Sequence, residues 1–144
     1  MTGGIDIDVD ILPHSNMAPP LLEFPEIITS MGTGTTTVKI NSPIPFNRAK
    51  IRSSHVGASG ATSIFHPEEW EGIISGQAQV GSVDMWGKGL EVIEERNNRT
   101  GFNVYVKAIK GNEPWYKADT VVELRGGPIT IGIGKRTDDY RGKW

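Results

Sequence analysis

Three histidines are the residues of this chain best suited to hold a metal. His14, His55 and His66 stand in separate Pro- or Gly-rich surroundings, and zinc accepts three imidazoles plus a fourth ligand. No two of them lie at a diagnostic metal-ligand spacing. Asp6, Asp8 and Asp10 resemble the start of a calcium loop, but that pattern requires Gly at its sixth position and Glu at its twelfth. Ile11 and Met17 stand there instead. Residues 81–88 approach a phosphate loop, yet one residue too many precedes Gly87-Lys88, and Gly89 occupies the place of the Mg²⁺-binding hydroxyl. Glu68, Glu69, Glu71, Glu94 and Glu95 offer material for an acid–base pair. Adjacent carboxylates on short exposed elements read more simply as solvated. No Gly-x-Ser-x-Gly nucleophile elbow occurs, so the chain is expected not to be an enzyme.

The elements that position these residues are short. The 144 residues carry 18 Gly and 9 Pro against 37% hydrophobic residues, a composition of tight turns rather than long helices. Residues 5–11, IDIDVDI, alternate strictly and predict a strand with the apolar side chains on one face and three Asp on the other. Pro13, Pro19, Pro20 and Pro25 predict an extended crossing. Residues 35–40 and 48–52 read as two strands around a Pro43/Pro45 turn, so residues 31–51 form a hairpin. Residues 53–63, SSHVGASGATS, read as an exposed small-residue loop. His66-Pro67-Glu68-Glu69-Trp70 is the one helix-start signal, with Pro at the first helical position and carboxylates in the first turn. Strands are predicted at 77–86, 90–95, 102–109, 120–124 and 129–133, the last two around an Arg125-Gly126-Gly127 turn.

The bulk properties narrow the function classes. Net charge is −2, with no broad basic face for nucleic acid. Charge is uneven: residues 1–28 carry −5 with no Lys or Arg, and the remainder carries +3. The absence of Cys excludes disulfides, thiolate metal sites and Cys nucleophiles. No apolar run approaches membrane-spanning length, no basic and apolar leader is evident, and the sequon Asn98-Arg99-Thr100 reads as chance.

The order of the pieces is informative. A Pro-rich arm is followed by Phe24-Pro25-Glu26-Ile27, then Gly34-Thr35-Thr36-Thr37-Val38-Lys39-Ile40-Asn41-Ser42-Pro43. Gly72-Ile73-Ile74-Ser75-Gly76 comes next, then the strand to Trp86, Gly87-Lys88, and Arg96 before Asn97 and Asn103. Over residues 10–103 this resembles the PAAR-like proteins that tip the spikes of contractile injection systems. The resemblance implies an all-β fold, a small cone of short β-hairpins with pseudo-threefold symmetry, over residues 1–103. Residues 104–144 would add a C-terminal β extension. It implies a non-enzymatic tip that caps a homotrimeric VgrG-like spike, one tip per trimer, sharpening it for membrane puncture and carrying effector cargo. Assembly would be cytoplasmic, into an injection particle or virion, with delivery into the target envelope on contraction.

A zinc or iron ion at the apex belongs to the same reading, with His14, His55 and His66 as the available ligands since Cys is absent. Val38, Ile40, Ile51, Val83 and Trp86 are the expected spike-docking positions, with packing of the cone's own interior as the alternative role. Two other functions fit the composition. One is another phage or virion β-module, in a baseplate or head decoration. The other is a carbohydrate-binding domain that uses Trp70, Trp86, Trp115 and Trp144 as stacking platforms.

Overall fold

The alternation of Ile5, Ile7 and Val9 with aspartates does form a strand, and it runs parallel to its neighbour. A computed structural model describes residues 3–10, 26–41, 52–68, 70–96, 102–111 and 119–134. They hold eight strands: β1 (Gly3–Asp10), β2 (Glu26–Asn41), β3 (Arg52–Ser59), β4 (Thr62–His66), β5 (Gly72–Gly87), β6 (Leu90–Arg96), β7 (Phe102–Lys110) and β8 (Asp119–Ile133). No helix occurs among the described residues, and the protein is all-β. The sheet runs β1-β2-β3-β8-β5-β7-β6, with β4 also between β2 and β8.

Hairpin pairing is confined to one end. β7 is antiparallel to both β5 and β6, while β1, β2, β3, β4, β8 and β5 pair in parallel. The hairpin expected over residues 31–51 is therefore replaced. β2 lies parallel to β3, and parallel neighbours require a crossover rather than a tight turn. Residues 42–51, which include Ile51, lie outside the described residues, as do the Pro-rich segment 11–25 and His14.

A line of glycines crosses the sheet and organises it. Gly34, Gly60, Gly127 and Gly81 fall at one register level on adjacent strands, with φ of 134°, 116°, 130° and 147°. This backbone region is open only to glycine. The close approach is equally restrictive: a Cβ on Gly60 would lie 1.9 Å from the Gly34 carbonyl oxygen, and one on Gly127 2.0 Å from that of Gly60.

At this crease the inward-facing parity switches in every strand that crosses it. In β2 it passes from Thr29 to Thr36, Val38 and Ile40. Across β3 and β4 it passes from Ser53 and His55 to Thr62, Ile64 and His66. In β8 it passes from Thr120, Val122 and Leu124 to Ile129, Ile131 and Ile133, and in β5 from Ile74 and Ala78 to Met85. Each strand thus bends and folds back, giving two layers that enclose one core. Gly76 before the bend faces Val83 and Met85 after it, and a Cβ there would meet Val83 Cγ1 at 2.9 Å.

Four sequence expectations change with this geometry. Residues 53–63 are not an exposed loop but the broken central strand β3–β4. Arg125-Gly126-Gly127 is no reversal; it lies inside β8, where Gly127 supplies the crease. The segment after His66 is a turn closed by Trp70 N–H donating to the Pro67 carbonyl at 3.0 Å, because only five residues separate β4 from β5. Finally, β8 lies at the centre of the sheet, between β3–β4 and β5. Of the C-terminal segment 104–144, residues 119–133 are thus central to the sheet rather than an extension of it.

Candidate functional site

The two arms of the folded sheet bring a set of polar side chains together in the interior. Thr29, Ser53, His55, Thr62, His66 and Thr120 are all buried. The hydroxyl of Thr29 lies 2.7 Å from His55 Nδ1. Thr120 Oγ1 lies 2.9 Å from Ser53 Oγ and 2.7 Å from His66 Nε2. The His66 ring stacks on the fully buried Trp70, centroids 4.4 Å apart and planes 21° apart. Each arm of the fold contributes one imidazole: His55 stands before the crease and His66 after it.

Burial sets the charge state of this cluster. Desolvation lowers the His55 pKa from 6.5 to about 4. His66 falls to about 3, first through desolvation and then through the positive charge that His55 would carry. Both rings are neutral at pH 7. Each has one nitrogen anchored by a threonine hydroxyl, while His55 Nε2 and His66 Nδ1 have no hydrogen-bond partner among the described residues.

An imidazole held through one nitrogen with the other open suits a metal ligand. His55 and His66 have that form, but among the described residues no three His, Cys, Asp or Glu side chains gather into a metal-holding group. The third expected imidazole, His14, lies outside the described residues. A hydroxyl bonded to imidazole is also the start of a nucleophile–base pair. Here Thr120 is fully buried, so the contact links the two arms.

At the downstream ends of β2, β4 and β8 a cleft of about 400 Å³ opens, lined by Lys39, Ile40, Asn41, Phe65, His66, Pro67 and Gly134. Asn41 Nδ2 donates to Asp10 Oδ1 at 3.2 Å on its rim.

The remaining sequence candidates fall into place. Asp6, Asp8 and Asp10 are exposed along β1, opposite Thr37, Lys39 and Asn41. Alternate strand residues lie about 6.6–6.8 Å apart, which sets Asp6 and Asp10 about 13 Å from each other, and among the described residues the three do not gather into a metal-holding group. Gly81 belongs to the crease and Lys88-Gly89 to the turn between β5 and β6, so no phosphate loop forms. Glu94 pairs with Arg96 at 3.9 Å on the surface, and Arg96 lies over the Tyr105 ring. Glu69 lies outside the described residues.

Val38 and Ile40 are buried in the core, and Val83 packs against it. These contacts are the interior packing given above as their alternative role, with Val83 only partly buried. Trp86 is 5% exposed, set near Phe65 with centroids 6.0 Å apart. Buried Trp70 and Trp86 are not stacking platforms, and Trp115 and Trp144 lie outside the described residues. Thr29, Ser53 and Thr120 were not singled out from sequence. Their signal is a hydroxyl residue at an inward position of a strand, visible only once strand phase is known.

No family model matches this sequence, and no curated protein matches it. A solved structure described as a "putative cell adhesion protein" from Clostridium sporogenes is similar at 13% identity. That match covers 92% of this chain and 89% of the other, with a TM-score of 0.47.

Proposed function

We propose that this chain is a structural, non-enzymatic subunit that joins a larger assembly by strand pairing, and that the assembly is the spike of a contractile injection apparatus. The observation that carries the docking mode is the set of open edges. Among the described residues, β1 pairs only with β2, and β6 only with β7. Residues 26–33 of β2 pair only with β3, and residues 81–87 of β5 only with β8. Open strand edges are templates for another chain's strand.

The spike-tip assignment rests on the ordered motifs at 24–27, 34–43, 72–76 and 86–103 that resemble PAAR-like proteins. A trimeric VgrG-like β-helix ends in open strand edges of its own, which edge pairing would satisfy. In this reading a zinc or iron ion would take His14 together with His55 and His66, and its role would be to brace the fold. Co-expression with a trimeric spike protein tests the assignment by native mass spectrometry. One chain per spike trimer is expected; recovery of the two proteins apart overturns it. Metal analysis of the purified chain, with His14→Ala as control, tests the ion separately.

A further inference from the structure

The four open edges are not alike. β1 carries Asp6, Asp8 and Asp10, all exposed, and a second β1 would repel it. β6 carries Glu91, Glu94, Glu95 and Arg96 and is broken by a bulge between Val92 and Glu94. Residues 81–87 of β5 are bounded by Gly81 and Gly87, both at positive φ, with Asp84 in the middle. Charges, bulges and bends of this kind are how edges are kept from self-pairing. Residues 26–33 of β2, EIITSMGT, are bounded by a crease glycine at one end only, Gly34, and carry no bulge and no charge beyond Glu26 at the other. Beside this edge stands the most exposed large hydrophobic among the described residues, Ile28 at 69%. Val56 at 49% lies diagonally across on β3.

We propose that residues 26–33 of β2 join two copies of this chain, antiparallel about a twofold axis at Thr29. Side chains directly opposite in an antiparallel pair share a face, so this register keeps inner face to inner face. Half-buried Ile27 then stands against Met31 of the second copy, and Ile28 against its Ser30. Glu26, the one charge on the edge, meets Gly32 and is not repelled. The sheet continues through the axis, and Ile28 and Val56 of both copies lie on one surface. Closed twofold pairing leaves neither β2 edge open. This pairing is a state of the chain by itself and goes beyond the spike-tip reading, in which the dimer would part and a single chain would meet the spike through its charged edges.

Sedimentation velocity of the chain alone over a range of concentrations tests the pairing. A concentration-dependent dimer is expected. Ile28→Lys, at an exposed position, raises the half-dimer concentration about tenfold or more, since two such sites meet in each dimer. Position 32 reads the register. A Cβ on Gly32 meets nothing within 4 Å, so both Gly32→Lys and Gly32→Glu fold. Opposite Glu26 the lysine tightens the dimer and the glutamate loosens it. Ile93→Lys, on β6, leaves it unchanged. A monomer at every concentration overturns the proposal. So does a dimer that treats Gly32→Lys and Gly32→Glu alike. Far-UV circular dichroism identifies any variant that has not folded, and the Gly32 pair decides the outcome if Ile28→Lys is one.

Discussion

Thr120 Oγ1 and His66 Nε2 meet at 2.7 Å although 54 residues separate them and they lie on opposite sides of the crease. Thr120 stands seven residues before Gly127, and His66 six residues after Gly60. Their contact is therefore where the free ends of the two arms close on each other. A hydroxyl there, rather than a methyl, holds the ends together through Ser53, Thr120 and His66.

Thr120→Val keeps the shape of the side chain and removes that link. It leaves His66 Nε2 and Ser53 Oγ buried without this partner, each costing about 1–3 kcal/mol when unsatisfied. A fall of about 2–4 kcal/mol in urea-unfolding stability is expected. A change within experimental error would mean that the polar cluster does not secure the arms.

Acid acts on the same cluster through its histidines. Unfolding returns both rings to ordinary values near 6.5, while the folded values are about 4 for His55 and about 3 for His66. Between these limits the unfolded chain binds more protons, so stability is full above pH 6.5 and is lost as pH falls toward 4 and then 3. Each histidine contributes a slope of about 1.4 kcal/mol per pH unit within its window. The urea midpoint should decline between pH 6.5 and 5, above the range where ordinary carboxylates titrate. His55→Gln and His66→Gln should each flatten that decline. An unchanged slope in both variants would refute the assignment.

The crease makes a sharper prediction. Gly60→Ala drives a Cβ to within 1.9 Å of the Gly34 carbonyl oxygen, and Gly81→Ala to within 2.1 Å of that of Gly127. Both also force a side chain into positive φ. Backbone cannot yield cheaply here, because each strand is paired on both sides of the bend. A loss of about 3 kcal/mol or more is expected for each. Gly32→Ala, with open space at its Cβ, should lie within about 0.5 kcal/mol of the parent in chemical denaturation.

Where the sequence was legible, one physical signal was at work: apolar alternation unbroken by glycine. Residues 5–11 and 35–40 read as strands, and the described part of each keeps one phase throughout. SSHVGASGATS reads as a loop because its residues are small, and in the structure its phase changes at Gly60. In the folded chain small residues are required there by close neighbours. A Cβ on Gly57 would reach Leu124 Cδ1 at 2.8 Å. The same phase change split β8 into two expected strands at Gly126-Gly127. Parallel pairing is hidden for another reason: a half-buried strand alternates in the same way whichever direction its neighbour runs. The buried histidines were visible as residues but not as neighbours. Their meeting depends on the bend, which glycine permits and does not announce.

Trp86 and Gly132 supply a final test, on the outer side of the second layer. They face each other in the β5–β8 register, and the indole lies where a side chain at 132 would stand. A Cβ there would come within 2.2 Å of the ring. Gly132→Ala must therefore displace the indole, which is buried and set beside Phe65. Overpacking of this kind costs about 1–3 kcal/mol. Trp86→Ala removes the ring and should cost about 3–5 kcal/mol alone. In that background the clash is gone, so Gly132→Ala should become nearly neutral. The coupling between the two substitutions then equals most of the cost of the first, about 1–3 kcal/mol in a double-mutant cycle. Additive costs would show that the indole does not occupy the space above Gly132.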